Sequence, residues 1–301
     1  MTRYFTLILF LLIAIISNAQ IHMKVEKGGF LFLEGKDSIF FYQKSPKDIN
    51  GQYSRCNYIH PLYGLDNTRL TEDFPADHLH HRGVFWAWHQ ILINGQSVGD
   101  GWELKNFLQK VSDVEFQQKE GKGILNTTVE WKSPLYNDMQ DAYLKEFTTI
   151  TMFPKTSNYR RIDFEITLKA IADHLSIGGS EDEKGYSGFS VRLKLPQDIS
   201  FYDEKGLVEP ANTAISAGRQ MKMEGAMLKN GNRGGVVIYS DPSNPSPSTQ
   251  WILRKSASMQ NAAFPGREPV AIPVDKPLKL KYSLLVYQGS LNAKQIRKAV
   301  K

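Results

Sequence analysis

The chain has 301 residues, one cysteine and a formal net charge of +6. Cys56 has no partner to pair with inside the chain, so no intramolecular disulfide is open to it and stability has to come from packing. The basic residues are scattered and form no stripe with interleaved aromatics, which argues against a nucleic-acid partner; the charge suits solubility or attraction to acidic glycans.

Residues 1–19 read as a secretory signal peptide. Arg3 supplies a basic start, Leu7–Ile16 is a run of ten apolar residues, and Ser17 and Ala19 place small side chains where cleavage needs them. Cleavage is expected after Ala19, with export to the periplasm or beyond. The run is short for a bilayer span and no second one follows, so no membrane span is expected in the mature chain. Residues 20–301 are expected to form one domain.

Most of the mature chain reads as strands. Phe30–Leu33 and Ile39–Tyr42 flank a hairpin signal at Glu34–Ser38. A strand follows the Gly-Lys-Gly turn at Gly121, and Tyr143–Phe153 is rich in Thr and β-branched residues. Ile162, Phe164, Ile166 and Leu168 alternate with polar residues, as a half-buried antiparallel strand does. Val191, Leu193 and Leu195 alternate with Arg192 and Lys194. Val236–Tyr239 is continuously apolar, and Leu278–Val286 alternates again. One short terminal helix is expected, capped by Asn292 and running through Val300. Pro- and Ser-rich Asp241–Thr249 is a loop. There is no βαβ rhythm and no internal repeat. The fold class is all-β: a large antiparallel β-sandwich with few short helices.

The chemistry concentrates between His60 and Glu103. Five of the seven histidines lie between His60 and His89, and Trp86, Trp88 and Trp102 join them. The densest segment is Asp77-His78-Leu79-His80-His81-Arg82-Gly83. If it is extended, His78, His80 and Arg82 share one face and His81 the other. Neutral imidazoles there suit a divalent metal, with Asp77, His60 or Glu146 as a third ligand. They equally suit proton transfer at a sugar carbon or glycosidic oxygen, since an unperturbed imidazole titrates near about 6.5. No serine-hydrolase, nucleotide-binding, dinucleotide or Cys-x-x-Cys pattern is present.

His60-Pro61-Leu62-Tyr63-Gly64, Leu70–Pro75, the Asp77–Gly83 segment, Trp102-Glu103, Tyr159–Asp163, Lys184–Arg192 and Asp241–Pro245 together resemble the bacterial "PmoA family", also described as a domain of unknown function (DUF6807). Leu79, where Pro is common, and Tyr186-Ser187 depart from the pattern without changing a charged group. The label points to methane oxygenase, but the membrane subunit of that name is a multi-span protein and this chain has no apolar run of spanning length after its first. The resemblance implies instead a secreted supersandwich similar to galactose-mutarotase-like domains, which serve epimerases, lyases and glycosidases. Fold alone does not settle function.

Two readings follow. One is a carbohydrate-active hydrolase, lyase or epimerase, with His78, His80, His81, Lys184 and Glu146 as catalytic candidates. His60, Arg82, His89, Trp102 and Arg192 would then contact the sugar or glycoside. The other is a non-catalytic glycan-binding module in which the tryptophans form a stacking platform. A pocket in which His78, His80 and Lys184 converge favours the first; a flat aromatic face with the histidines buried favours the second.

Overall fold

The computed structural model describes residues 20–257 and 259–301; the signal-peptide reading over 1–19 lies outside them. Strands take 52% of the structure and helix 5%, consistent with an all-β sandwich. Two nine-stranded sheets carry the architecture, and every strand pair is antiparallel. The first sheet runs, in spatial order, from Ile21–Glu26 through Tyr58–Leu62, Val84–Trp88, Ser187–Val191 and Gln260–Ala263 to Ile215–Ser216. The second runs from Leu108–Lys119 through Leu144–Met152, Tyr159–Ala170 and Leu278–Gln288 to Leu207–Val208.

The alternating sequences form this core because a strand turns successive side chains to opposite faces. Ile162, Phe164, Ile166 and Leu168 are all essentially inaccessible, and they meet Phe32, Ile59, Trp86 and Phe189 of the first sheet in one continuous apolar cluster. Burying one such side chain contributes about 1.5–3 kcal/mol. The terminal helix is Ala293–Ala299, capped reciprocally by Asn292 and Gln295. It packs Ile296 and Ala299 on Val237, Leu285 and Tyr287.

Glu146 is also in the core. Its carboxylate lies in the strand Leu144–Met152 and takes hydrogen bonds from Asn57 (2.8 Å), Trp86 (2.9 Å), Thr148 (2.9 Å) and Trp131 (3.0 Å). It is wholly buried, and burial raises its pKa against the pull of those four donors. This corrects the reading of Glu146 as a catalytic carboxylate or metal ligand: no ligand reaches it. Trp86 and Trp88 are core residues too.

In Val84–Trp88 the odd and even positions part company. Val84, Trp86 and Trp88 point into the sandwich, while Phe85 and Ala87 belong to a second cluster with Tyr58, Met259 and Trp102. That cluster covers the outer face of the first sheet and stays dry because loops lie over it. Those loops carry the candidate site.

Candidate functional site

The segment Asp77–Arg82 is not a strand. It is two successive turns, with the His78 amide donating to Pro75 O (3.0 Å) and the His81 amide to His78 O (2.9 Å). The expected alternation of faces therefore fails, and all three imidazoles converge. His78 and His81 stack nearly parallel at 4.6 Å, and His80 meets His81 edge-on at 4.5 Å and His78 at 5.7 Å.

Arg82 and Gly83 explain how so tight a segment is held. Arg82 is fully buried and donates to the carbonyls of Leu79, His81 and Tyr53, with its guanidinium 3.5 Å from the Phe74 ring centroid. It ties the loop to itself, which corrects its reading as a ligand contact. Gly83 lets the chain pass the neighbouring strand: a Cβ there would sit 2.0 Å from Ile59 O.

Arg192 is the second corrected contact. The strand ends at Val191, and the Arg192 side chain is buried rather than solvent-facing. Nε donates to Glu72 (2.8 Å), Nη2 to both oxygens of Asp77 (2.7 and 2.9 Å) and Nη1 to His81 Nδ1 (3.1 Å). Four of its five N–H donors are spent inside the protein, and the side chain is 3% exposed, so it orders the loop and does not grip a substrate. A guanidinium has no acceptor, so His81 Nδ1 must accept, and the ring is neutral with its proton on Nε2. Burial, and then the charges of His80, His78 and Arg192, hold the His81 pKa far below the ordinary range. Burial, then His78 and Arg55, lowers His80 to about 4. His78 is more open and bonds Asp77 through Nδ1 at 2.8 Å.

His89 has the opposite arrangement. Its Nδ1 lies 2.9 Å from Asp100 Oδ2 and donates to that carboxylate, leaving the Nε2 lone pair free. Asp100 Oδ1 accepts the backbone amides of Trp102 and Glu103, both at 2.8 Å. Trp102 packs between these groups: its ring centroid is 5.5 Å from His89, 6.2 Å from His81, 5.3 Å from Tyr186 and 5.5 Å from Phe85. It is 2% exposed, so it is a wall of the cluster and no open platform for a sugar, which corrects its reading as a stacking contact.

Lys184, far along the chain, reaches the edge of the same assembly. Its Nζ is 6.0 Å from the Tyr186 ring, which packs on Trp102, and 3.5 Å from Asp182. His60 is elsewhere: it bonds Thr71 Oγ1 at 3.0 Å, and burial lowers it to about 4. It lines a separate groove of about 740 Å³ with Phe41, Lys47, Tyr63 and Arg69. Among the described residues no three His, Cys, Asp or Glu side chains are grouped so as to hold a metal ion. The third ligands proposed from sequence are otherwise engaged: Glu146 in the core, His60 on Thr71, Asp77 on Arg192 and His78.

Four participants were not singled out by sequence. Asp100, Glu72 and Tyr186 are ordinary residues whose importance lies in what they touch. Arg55 is 2% exposed, donates to Gly101 O (2.5 Å), lies 4.5 Å over Phe85, and is lowered to about 9 by burial and the charge of Arg82. The signals in the sequence were the family-like segments Leu70–Pro75 and Lys184–Arg192, which contain Glu72 and Tyr186, and the proximity of Asp100 to Trp102.

A model of a family of unknown function, DUF6807, matches residues 32–301. The chain belongs to this family. No curated protein matches it. Across this DUF6807 chain, the match takes in the second nine-stranded sheet, the first apart from its edge strand Ile21–Glu26 and the start of Gly29–Glu34, and every residue of the cluster.

Proposed function

We propose that this protein is an exported carbohydrate-active enzyme, a hydrolase, lyase or epimerase, acting on a sugar or glycoside through the histidine cluster of the first sheet's outer face. Its sandwich would then be of the galactose-mutarotase-like kind. The observation that carries the reading is the gathering of His78, His80 and His81 with His89 around Trp102. Two of these imidazoles, His80 and His81, are kept neutral, and the other two, His78 and His89, are each backed by a carboxylate. Such groups hold or move protons, whereas a module that only binds glycans needs open aromatic faces. Trp86, Trp88 and Trp102 are all buried, which weakens the binding-module reading. No helix among the described residues is long and apolar enough to cross a membrane, so the methane-oxygenase label gains no support from a membrane-spanning helix.

The test is a panel of glycans and aryl glycosides offered to the purified protein, with and without chelator. Turnover of one class, lost in His80→Ala, is expected. Binding without turnover across the panel would reject the enzyme in favour of the module.

A further inference from the structure

Two imidazoles of the cluster are locked in opposite tautomers by charged partners. His81 receives a hydrogen bond from Arg192 at Nδ1 and so carries its proton on Nε2. His89 gives its Nδ1 proton to Asp100 and so presents an Nε2 lone pair. Both rings pack on Trp102, at 6.2 and 5.5 Å. A neutral imidazole is a very poor acid, but it is a good hydrogen-bond donor to an oxygen that gains negative charge. A carboxylate-backed imidazole is a base.

We propose that His89, held by Asp100, is a base working with the neutral donors His80 and His81, and that the site removes a proton from a sugar carbon next to a carbonyl or carboxylate. This rests on the carbohydrate reading and narrows it from three reaction types to proton abstraction at carbon. His89 Nε2 takes the proton. The C–H electron pair moves into a carbon–carbon double bond, and the carbonyl or carboxylate oxygen takes up the charge. An imidazole N–H, from His81 Nε2 or from His80, whose side chain is the more open of the two at 11% exposure, hydrogen-bonds that oxygen. Return of the proton from the His89 imidazolium to the face it left restores the charge balance without inversion; inversion requires that the enolate turn its other face to His89 before the proton returns. No oxidant or further reactant is required.

The other carboxylates fit this division. Glu72 is taken by Arg192, Asp77 by Arg192 and His78, and Asp100 by His89 and two amides. Glu103 lies 3.7 Å from His80 Nε2 and 3.7 Å from Lys105 Nζ. The buried guanidinium of Arg55 has no carboxylate in ion-pair contact among the described residues, which suits a substrate oxygen that becomes negative nearby. Asp100 is a positioning residue. Asp100→Asn keeps the Oδ1 that accepts the Trp102 and Glu103 amides, but turns an amide N–H toward His89 and so reverses the tautomer.

Two measurements test this. Nitrogen-15 NMR of histidine-labelled protein should place the proton of His89 on Nδ1 and that of His81 on Nε2. In Asp100→Asn the His89 proton should move to Nε2. In deuterium oxide, D-glucuronate, D-galacturonate or D-fructose should gain deuterium at the carbon next to the carboxylate or carbonyl. Which of the three exchanges identifies the activating group. The rate should fall about 10²–10⁴-fold in Asp100→Asn and in His89→Asn. No carbon-bound deuterium with any of the three probes overturns the inference, as does the reverse tautomer at His89. Glycoside cleavage from the panel without such incorporation also overturns it, while leaving the carbohydrate reading standing.

Discussion

Arg192 donates to His81 Nδ1 across 3.1 Å, while the rest of its guanidinium holds Glu72 and Asp77. One side chain at the end of a core strand thereby fixes the tautomer of an imidazole 111 residues earlier in sequence and pins the turns on either side of it. The residue expected to grip substrate instead orders the residues that would.

Replacing Arg192 removes that order. Arg192→Met leaves His81 Nδ1 without a donor and two carboxylates without their cation. Glu72 and Asp77 are about one third exposed and can rehydrate, so the expected cost is about 1–3 kcal/mol, below that of a fully buried pair. Urea unfolding measures it, and a midpoint equal to wild type would contradict the assigned role.

The histidines predict a pH dependence with a definite sign. His60 and His80 are each lowered from 6.5 to about 4, first of all by burial. The unfolded chain therefore takes up protons before the folded one does. Their contribution to stability is complete above about 6.5 and is lost as pH falls toward about 4. The melting temperature should drop across this window, and the double variant His60→Asn/His80→Asn should show a shallower drop. Equal slopes for the two proteins would contradict the placement of these rings.

Glu146 predicts the opposite sign. Its folded pKa is raised by burial above the ordinary 4.5. The folded state holds the proton longer, so its contribution is fully present below about 4.5 and is lost as pH rises through the raised value. Glu146→Gln should remove this loss on the alkaline side. Glu146→Leu should be worse than Gln at every pH, because Asn57, Trp86, Trp131 and Thr148 all lose their acceptor, at about 1–3 kcal/mol for each one left buried and unpaired. Urea midpoints at acid and neutral pH separate the two variants.

Gly83 tests the packing of the loop on the sheet. A methyl group there would lie 2.0 Å from the Ile59 carbonyl oxygen, which is backbone and cannot rotate away. Gly83→Ala is expected to cost about 3 kcal/mol, the upper end for overpacking. His78→Ala, at a half-exposed ring, should stay within about 0.5 kcal/mol of wild type. Thermal melts of the two variants give the contrast.

Local patterns decided the fold. Alternation at Ile162–Leu168 and Leu278–Val286 specified half-buried strands, and Asn292 specified the helix start, because both depend on residues close in sequence. The segment Asp77–Gly83 and its family were likewise legible from the order of its residues. What the chain did not disclose is which way those side chains point. The two turns at His78 and His81 replaced the expected strand because the fully buried Arg82 satisfies the carbonyls of the loop from within. Glu146 sits in an alternating strand like any exposed carboxylate would, and only the opposite sheet, with Asn57 and Trp86, turns it into a core residue. Arg192 and Asp100 acquire their roles from partners distant in sequence or brought round by a loop. Such pairings are set by the docking of loops on the outer face of the first sheet. Periodicity records whether a side chain faces a core, but not which polar group waits for it there.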